Sequence, residues 1–255
     1  MTPSLARLIT GHVCLHACMA GVRMATPLLA LREGRSTLEV GLLLALFALS
    51  QVFLAVPAGR FADRHGLRRP IRIGVAVAVV GTGLAAIWPV FAVLCLSALS
   101  TGAATGAVSI ALQRHVGRSA GDSTRLRQAY SWLSIGPAIS NFIGPMVAGL
   151  LIDHAGFRWA FAVLALLPIA TLVALGRSRM AAPAAAEGDG AARPHVLQLL
   201  RQPSFRRLLV LNWLLSSCWD VHTFAVPLLG HERGLSASAI GAVLGAFAIA
   251  ATAVR

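Results

Sequence analysis

The sequence predicts an all-α membrane protein, a bundle of apolar helices that cross a bilayer. Three observations carry that prediction. The chain is 57% hydrophobic and 12% charged, with a mean hydropathy of +0.75, whereas soluble domains carry about 25% charged residues. Its apolar residues gather in runs of about 20, the length that crosses a hydrocarbon core. Its arginines fall between those runs rather than on one basic face. The net charge of +13 therefore fits a membrane and not nucleic acid.

Eight spans are expected, at roughly 8–31, 39–58, 70–88, 90–112, 128–152, 158–176, 207–230 and 236–254. The first carries "GHVCLHAC" and is long enough to span and stay, with no signal-peptide cleavage pattern. The second runs into the charged stretch "PAGRFADRHGLRRP", from Pro57 to Pro70. Trp88-Pro89 makes a tight turn between the third and fourth. The fifth holds "GPAISNFIGPMVAG". After the sixth comes a segment rich in Ala, Pro, Gly and charge, read as a linker with a short surface helix around His195 to Gln202. The expected domains are a six-helix bundle over 1–176, a cytoplasmic linker over 177–206 and a partial second bundle over 207–255. The four cysteines all lie inside apolar runs, so no disulfide framework is expected.

Basic residues set the orientation. One set of connections holds Arg7, the Arg60–Arg72 cluster, Arg114, Arg118, Arg125, Arg127, Arg177, Arg179, Arg193, Arg201, Arg206 and Arg207. The opposite set holds Arg32, Arg35, Arg158 and Arg233. The N-terminus and the Pro57–Pro70 stretch are thus expected on the cytoplasmic side.

The last two runs repeat the first two. Setting residue n against n+200 aligns Arg7 with Arg207, Cys18 with Cys218, Pro27 with Pro227, Gly34 with Gly234, Ser36 with Ser236, Gly41 with Gly241 and Phe47 with Phe247, without a gap. Matching Leu and Ala mean little in apolar runs. Pro, Gly and Ser at one register mean more. A parallel repeat of helical halves is a transporter architecture.

With that layout, the stretch between the second and third spans resembles the signature of the major facilitator superfamily, G-x-x-x-D-R-x-G-R-R/K-R/K. Gly59, Asp63, Arg64, Gly66, Arg68 and Arg69 match it, while Leu67 replaces the first basic residue of the run. The resemblance covers the whole chain. It implies a helical bundle of that type, here a six-helix N-terminal half plus the first two helices of the C-terminal half. It also implies twelve spans in all, so the chain is expected to be a partial copy, truncated after the eighth. Positive-inside anchoring alone accounts for the arginines but not for Asp63. The resemblance implies that Asp63 meets the N-terminus of the eleventh span in one transport state and leaves it in the other. That partner lies beyond the eight spans, so Asp63 is expected to be the orphaned half of a gate.

The fifth span resembles the family's antiporter motif, G-x-x-x-G-P-x-x-G-G. Gly144, Pro145 and Gly149 match, and Ser140 and Ala148 replace two glycines. Gly136, Ser140, Gly144 and Ala148 form a stripe of small residues, which serves close helix packing equally well. The Arg often found in the fourth span of proton-coupled members is replaced by Ala98, four residues before Gly102.

The first span's cysteines and histidines do not share a face, because residues two apart point about 200° apart on a helix. No metal site is expected. His12, His16 and Arg23 form one stripe, and the repeat places Asn212, Ser216 and Thr223 on the matching stripe of the seventh span, joined by Asp220. Both stripes are expected to face a shared central cavity. Arg23 and Asp220 are the charged groups well inside the spans, where a charge costs roughly 2.5–3.5 kcal/mol on insertion scales. They are expected to pair across the cavity, or Asp220 carries a transported proton and releases it when Arg23 approaches. His12, His16 and His222 are secondary proton carriers, and a static packing pair is the plain alternative. Gln51, Asn141, Thr101 and Thr105 are weaker cavity positions.

These features fit a secondary transporter of the bacterial inner membrane, working by alternating access and needing no cofactor. Proton-coupled export of a small organic molecule or drug is the first expectation. Proton-coupled uptake of a metabolite or sugar is the second. A non-transporting membrane sensor or inactive fragment is the rival from another class. An enzyme is not expected: no nucleophile with a paired base, phosphate loop or metal-ligand cluster stands in the sequence.

Overall fold

The computed structural model describes residues 3–119, 123–176 and 200–254, and the ordered elements among them are α-helices. They are α1 (Pro3–Arg32), α2 (Thr37–His65), α3 (Arg68–Ile87), α4 (Phe91–Ser119), α5 (Ser123–Ala155), α6 (Phe157–Gly176), α7 (Pro203–Glu232) and α8 (Ala237–Ala253). Each expected span is one helix. Short connections make successive helices antiparallel from α1 to α6 and from α7 to α8.

Six helices, α1 to α6, are long and apolar enough by themselves to cross a membrane. The eight expected spans are corrected to that extent for the last two. α7 is 30 residues long, but Asn212, Asp220 and His222 lower its apolarity. α8 is apolar and only 17 residues long. The segment 177–199 lies outside the described residues. Of the helix expected around His195 to Gln202, only 200–202 are described, as a turn leading into α7.

α1 is the pillar of the first six helices, and most of its apolar window is buried. It packs against α4, α5 and α6, and its neighbours hold it by polar contacts as well as apolar ones. Ser140 Oγ on α5 donates to Val13 O at 3.0 Å, and Thr171 Oγ1 on α6 donates to Gly11 O at 2.7 Å. His12 Nε2 lies 2.7 Å from Ser109 Oγ on α4. In a bilayer such contacts hold helices together where lipid supplies no hydrophobic contrast.

The sequence repeat is a structural repeat. Gly34 has φ 76° and Gly234 φ 67°, a left-handed turn that glycine adopts without a Cβ penalty. Arg35 N donates to Ala30 O at 3.0 Å, and Leu235 N to Gly230 O at 2.9 Å. Ser36 and Ser236 then cap α2 and α8 through their hydroxyls. The two caps differ in how they are closed. Glu39 closes a capping box on Ser36 in α2, and Ala239 stands in its place in α8.

Candidate functional site

Three places gather the residues that the sequence singles out. The first is the Pro57–Pro70 stretch. It is mostly helix rather than loop: α2 continues to His65, so Gly59, Asp63 and Arg64 lie in its last two turns. Arg64 and His65 suit the negative end of the helix dipole, and Gly66 ends the helix. Arg68 and Arg69 open α3. Residues 59 and 63 are one turn apart on one face, and Arg114 of α4 reaches both. Its Nη1 donates to Gly59 O at 2.8 Å and forms an ion pair with Asp63 Oδ2. Arg118 Nη2 binds Asp63 Oδ1 at 2.7 Å. Asp63 is therefore not an orphan in this conformation. Two arginines one turn apart on α4 hold it, a pairing hidden from a reading that counted both as topogenic charge.

The second is the seam of α5. Its small residues pack on two helices. Gly144 faces α1, where a Cβ would collide with Ala17 O. Gly149 faces α8, where a Cβ would collide with Ala237 O. A Cβ on Gly241 of α8 would stand 2.5 Å from Pro145 O. Ser140 and Gly136 continue the α1 contact one and two turns earlier. One end of this seam is closed by a residue that sequence reading missed. Asp153 Oδ1 accepts a hydrogen bond from Ala237 N at 3.0 Å, and Oδ2 accepts one from Ser238 N at 2.8 Å.

The third is a narrow cleft of about 20 Å³ between α1, α5, α7 and α8, walled by Arg23, Asn141, Trp219, His222, Thr223 and Phe247. Arg23 Nη2 and Asp220 Oδ1 form an ion pair at 2.5 Å across the α1–α7 seam. Its two ends differ: the Arg23 side chain is 19% exposed and that of Asp220 52%. Thr223 Oγ1 donates to Asp220 O at 3.0 Å. His222 stacks on Phe247 with centroids 3.9 Å apart, and Trp219 lies 5.4 Å from the same ring. Arg23 Nε and His222 Nε2 are buried without a hydrogen-bond partner.

The expected stripes are only partly brought together. His12 is buried among the first six helices on Ser109, not on the cleft. His16 is half-buried, its ring 5.8 Å from that of His12. Asn212 and Ser216 are exposed on α7, nearer its N-terminus. The reason is depth: at the level of His12, α4 covers the face of α1 that α7 meets at the level of Arg23. Of the weaker positions, Asn141 lines the cleft, whereas Thr101 is buried and bonded to Ser97 O at 2.7 Å. Cys18 is buried 3.6 Å from Thr82 Oγ1. Trp219 went unread and Phe247 was read only as the repeat match of Phe47, because single aromatics in apolar runs carry no site signal of their own.

A helical membrane chain with duplicated helices, small-residue crossings and a charged pair at the seam has the architecture of a membrane transporter. The chain belongs to the Major Facilitator Superfamily, whose family model matches residues 8–255. Multidrug resistance protein D of Escherichia coli (strain K12) is 28% identical over 151 residues, 59% of this chain and 36% of the relative. Two crystal structures of a bacterial homolog to the human lysosomal transporter Spinster share the fold. The inward-facing, occupied form has a TM-score of 0.76 at 16% identity over 97% of this chain. The inward-facing, unoccupied form has a TM-score of 0.73 at 15% identity over 96%. The chain spans 59–60% of the length of those two structures.

Proposed function

We propose that this chain forms part of a proton-coupled secondary transporter that exports a small organic molecule by alternating access. The observation that carries the reading is the Arg23–Asp220 pair, which joins the first six helices to α7 beside a cleft with an aromatic wall. Asp220 is the proton carrier. Protonation neutralises it and frees Arg23, so the α1–α7 seam loosens in one protonation state and tightens in the other. His222 and, at a distance, His16 are further groups that bind protons in the same region. Gly59, Asp63, Arg64, Gly66, Arg68 and Arg69 control the gate at one end. Gly136, Gly144, Pro145 and Gly149 let α5 pivot on α1 and α8.

Export is supported by the name of the E. coli relative and by the motif around Gly144-Pro145. The arginine distribution supports an inner-membrane protein with its N-terminus in the cytoplasm. The units 1–176, 177–206 and 207–255 serve as bundle, linker and start of the second bundle. Uptake would use the same geometry, so direction decides between them. Cells carrying the gene, tested with a panel of organic compounds, should accumulate at least one of them less than cells without it. Greater accumulation would make the protein an importer. No change across the panel would favour the non-transporting reading.

A further inference from the structure

Asp153 stands where its own helix disfavours an acid. It lies in the last turn of α5, at the negative end of the helix dipole. It finds the opposite pole on another helix, at the first turn of α8, where its two oxygens take the N–H groups of Ala237 and Ser238 at 3.0 and 2.8 Å. The repeat shows what is particular here. In α2 the first turn carries a carboxylate of its own, at a different N–H: Glu39 accepts from Ser36 N at 2.9 Å and pairs with Arg35 at 3.2 Å. With Ala239 in the place of Glu39, the first turn of α8 has no acid of its own, and the carboxylate beside it comes from α5. Below the contact, Gly149 and Gly241 bring α5 and α8 together with no room for a side chain.

We propose that Asp153 is a latch: its carboxylate on the N-terminus of α8 holds shut the face of the α5–α8 seam opposite the Arg60–Arg72 cluster, and its release accompanies the opening of that face. The inference rests on the alternating-access reading. Asp153 is a positioning residue that touches no substrate. Opening moves the end of α5 from the start of α8 and returns a carboxylate and two N–H groups to water. The closed form is favoured by the difference.

The test uses the protein expressed from its own gene, in lipid nanodiscs, with its native cysteines replaced. Arg158→Cys and Glu232→Cys, both exposed near the latch, carry a nitroxide pair whose distance distribution is measured by electron spin resonance. Asp153→Asn should raise the ratio of long to short distances about three- to tenfold. Asp153→Glu, which keeps the charge, should stay near the parent. A parent with two distances whose ratio Asp153→Asn leaves unchanged overturns the latch alone, as does an Asp153→Glu shift equal to that of Asp153→Asn. A parent with one distance under all conditions overturns the alternating-access reading as well.

Discussion

Arg23 and Asp220 are unequal partners, and the inequality has a consequence for stability. The guanidinium is mostly buried while the carboxylate is half exposed. Asp220→Asn strands a buried charge; Arg23→Gln strands a half-exposed one. Removing one partner of a fully buried pair costs about 3–5 kcal/mol, and exposed pairs are worth about 0–1 kcal/mol. Thermal unfolding in detergent should therefore show Asp220→Asn as the more destabilising change, by about 1 kcal/mol or more. The double variant should be more stable than Asp220→Asn alone. An equal loss for both single variants would show that burial does not govern the pair. Asp63 is a milder case, because Arg114 and Arg118 are both half exposed; Asp63→Asn should cost no more than about 1 kcal/mol in the same experiment. Single charges inside apolar runs are legible in a sequence, which is why Arg23 and Asp220 stood out. Asp153 carried a legible signal too, an acid in a last helical turn, but only a structure shows which dipole it answers.

At the scale of the helix, periodicity and punctuation are strong signals. Gly34 and Gly234, Ser36 and Ser236 fix the same turn and the same caps two hundred residues apart. Left-handed backbone costs roughly 1–2 kcal/mol for a residue with a Cβ, so Gly234→Ala should destabilise by about that amount, whereas Gly83→Ala, with open space around its Cβ position, should be close to neutral. Thermal unfolding of the two variants checks this. The crossings of α5 are less forgiving. Gly144→Val and Gly149→Val each place branched carbon against a backbone carbonyl, and overpacking costs about 1–3 kcal/mol. Each should lower the yield of folded protein in membranes, while Gly83→Val should not; equal yields would mean that α5 does not cross α1 and α8 this closely. The end of α2 was harder to read, because a run of charge looks like loop until the dipole explains why arginine belongs in a last turn.

For the whole molecule, the sequence told which faces are polar but not what covers them at each depth. His12 and Arg23 share a side of α1, yet one meets α4 and the other α7. Apolar composition leaves such choices to packing, and packing among helices depends on small residues whose partners are distant in sequence. The central claim is that Asp220 couples a proton to an organic substrate across this seam. It is tested most directly in everted membrane vesicles holding an imposed pH gradient, with a pH-sensitive dye reporting its collapse when compounds are added. At least one compound should discharge the gradient with the wild-type protein and fail to do so with Asp220→Asn present at equal amount. A compound that discharges the gradient equally well with both proteins would contradict the account.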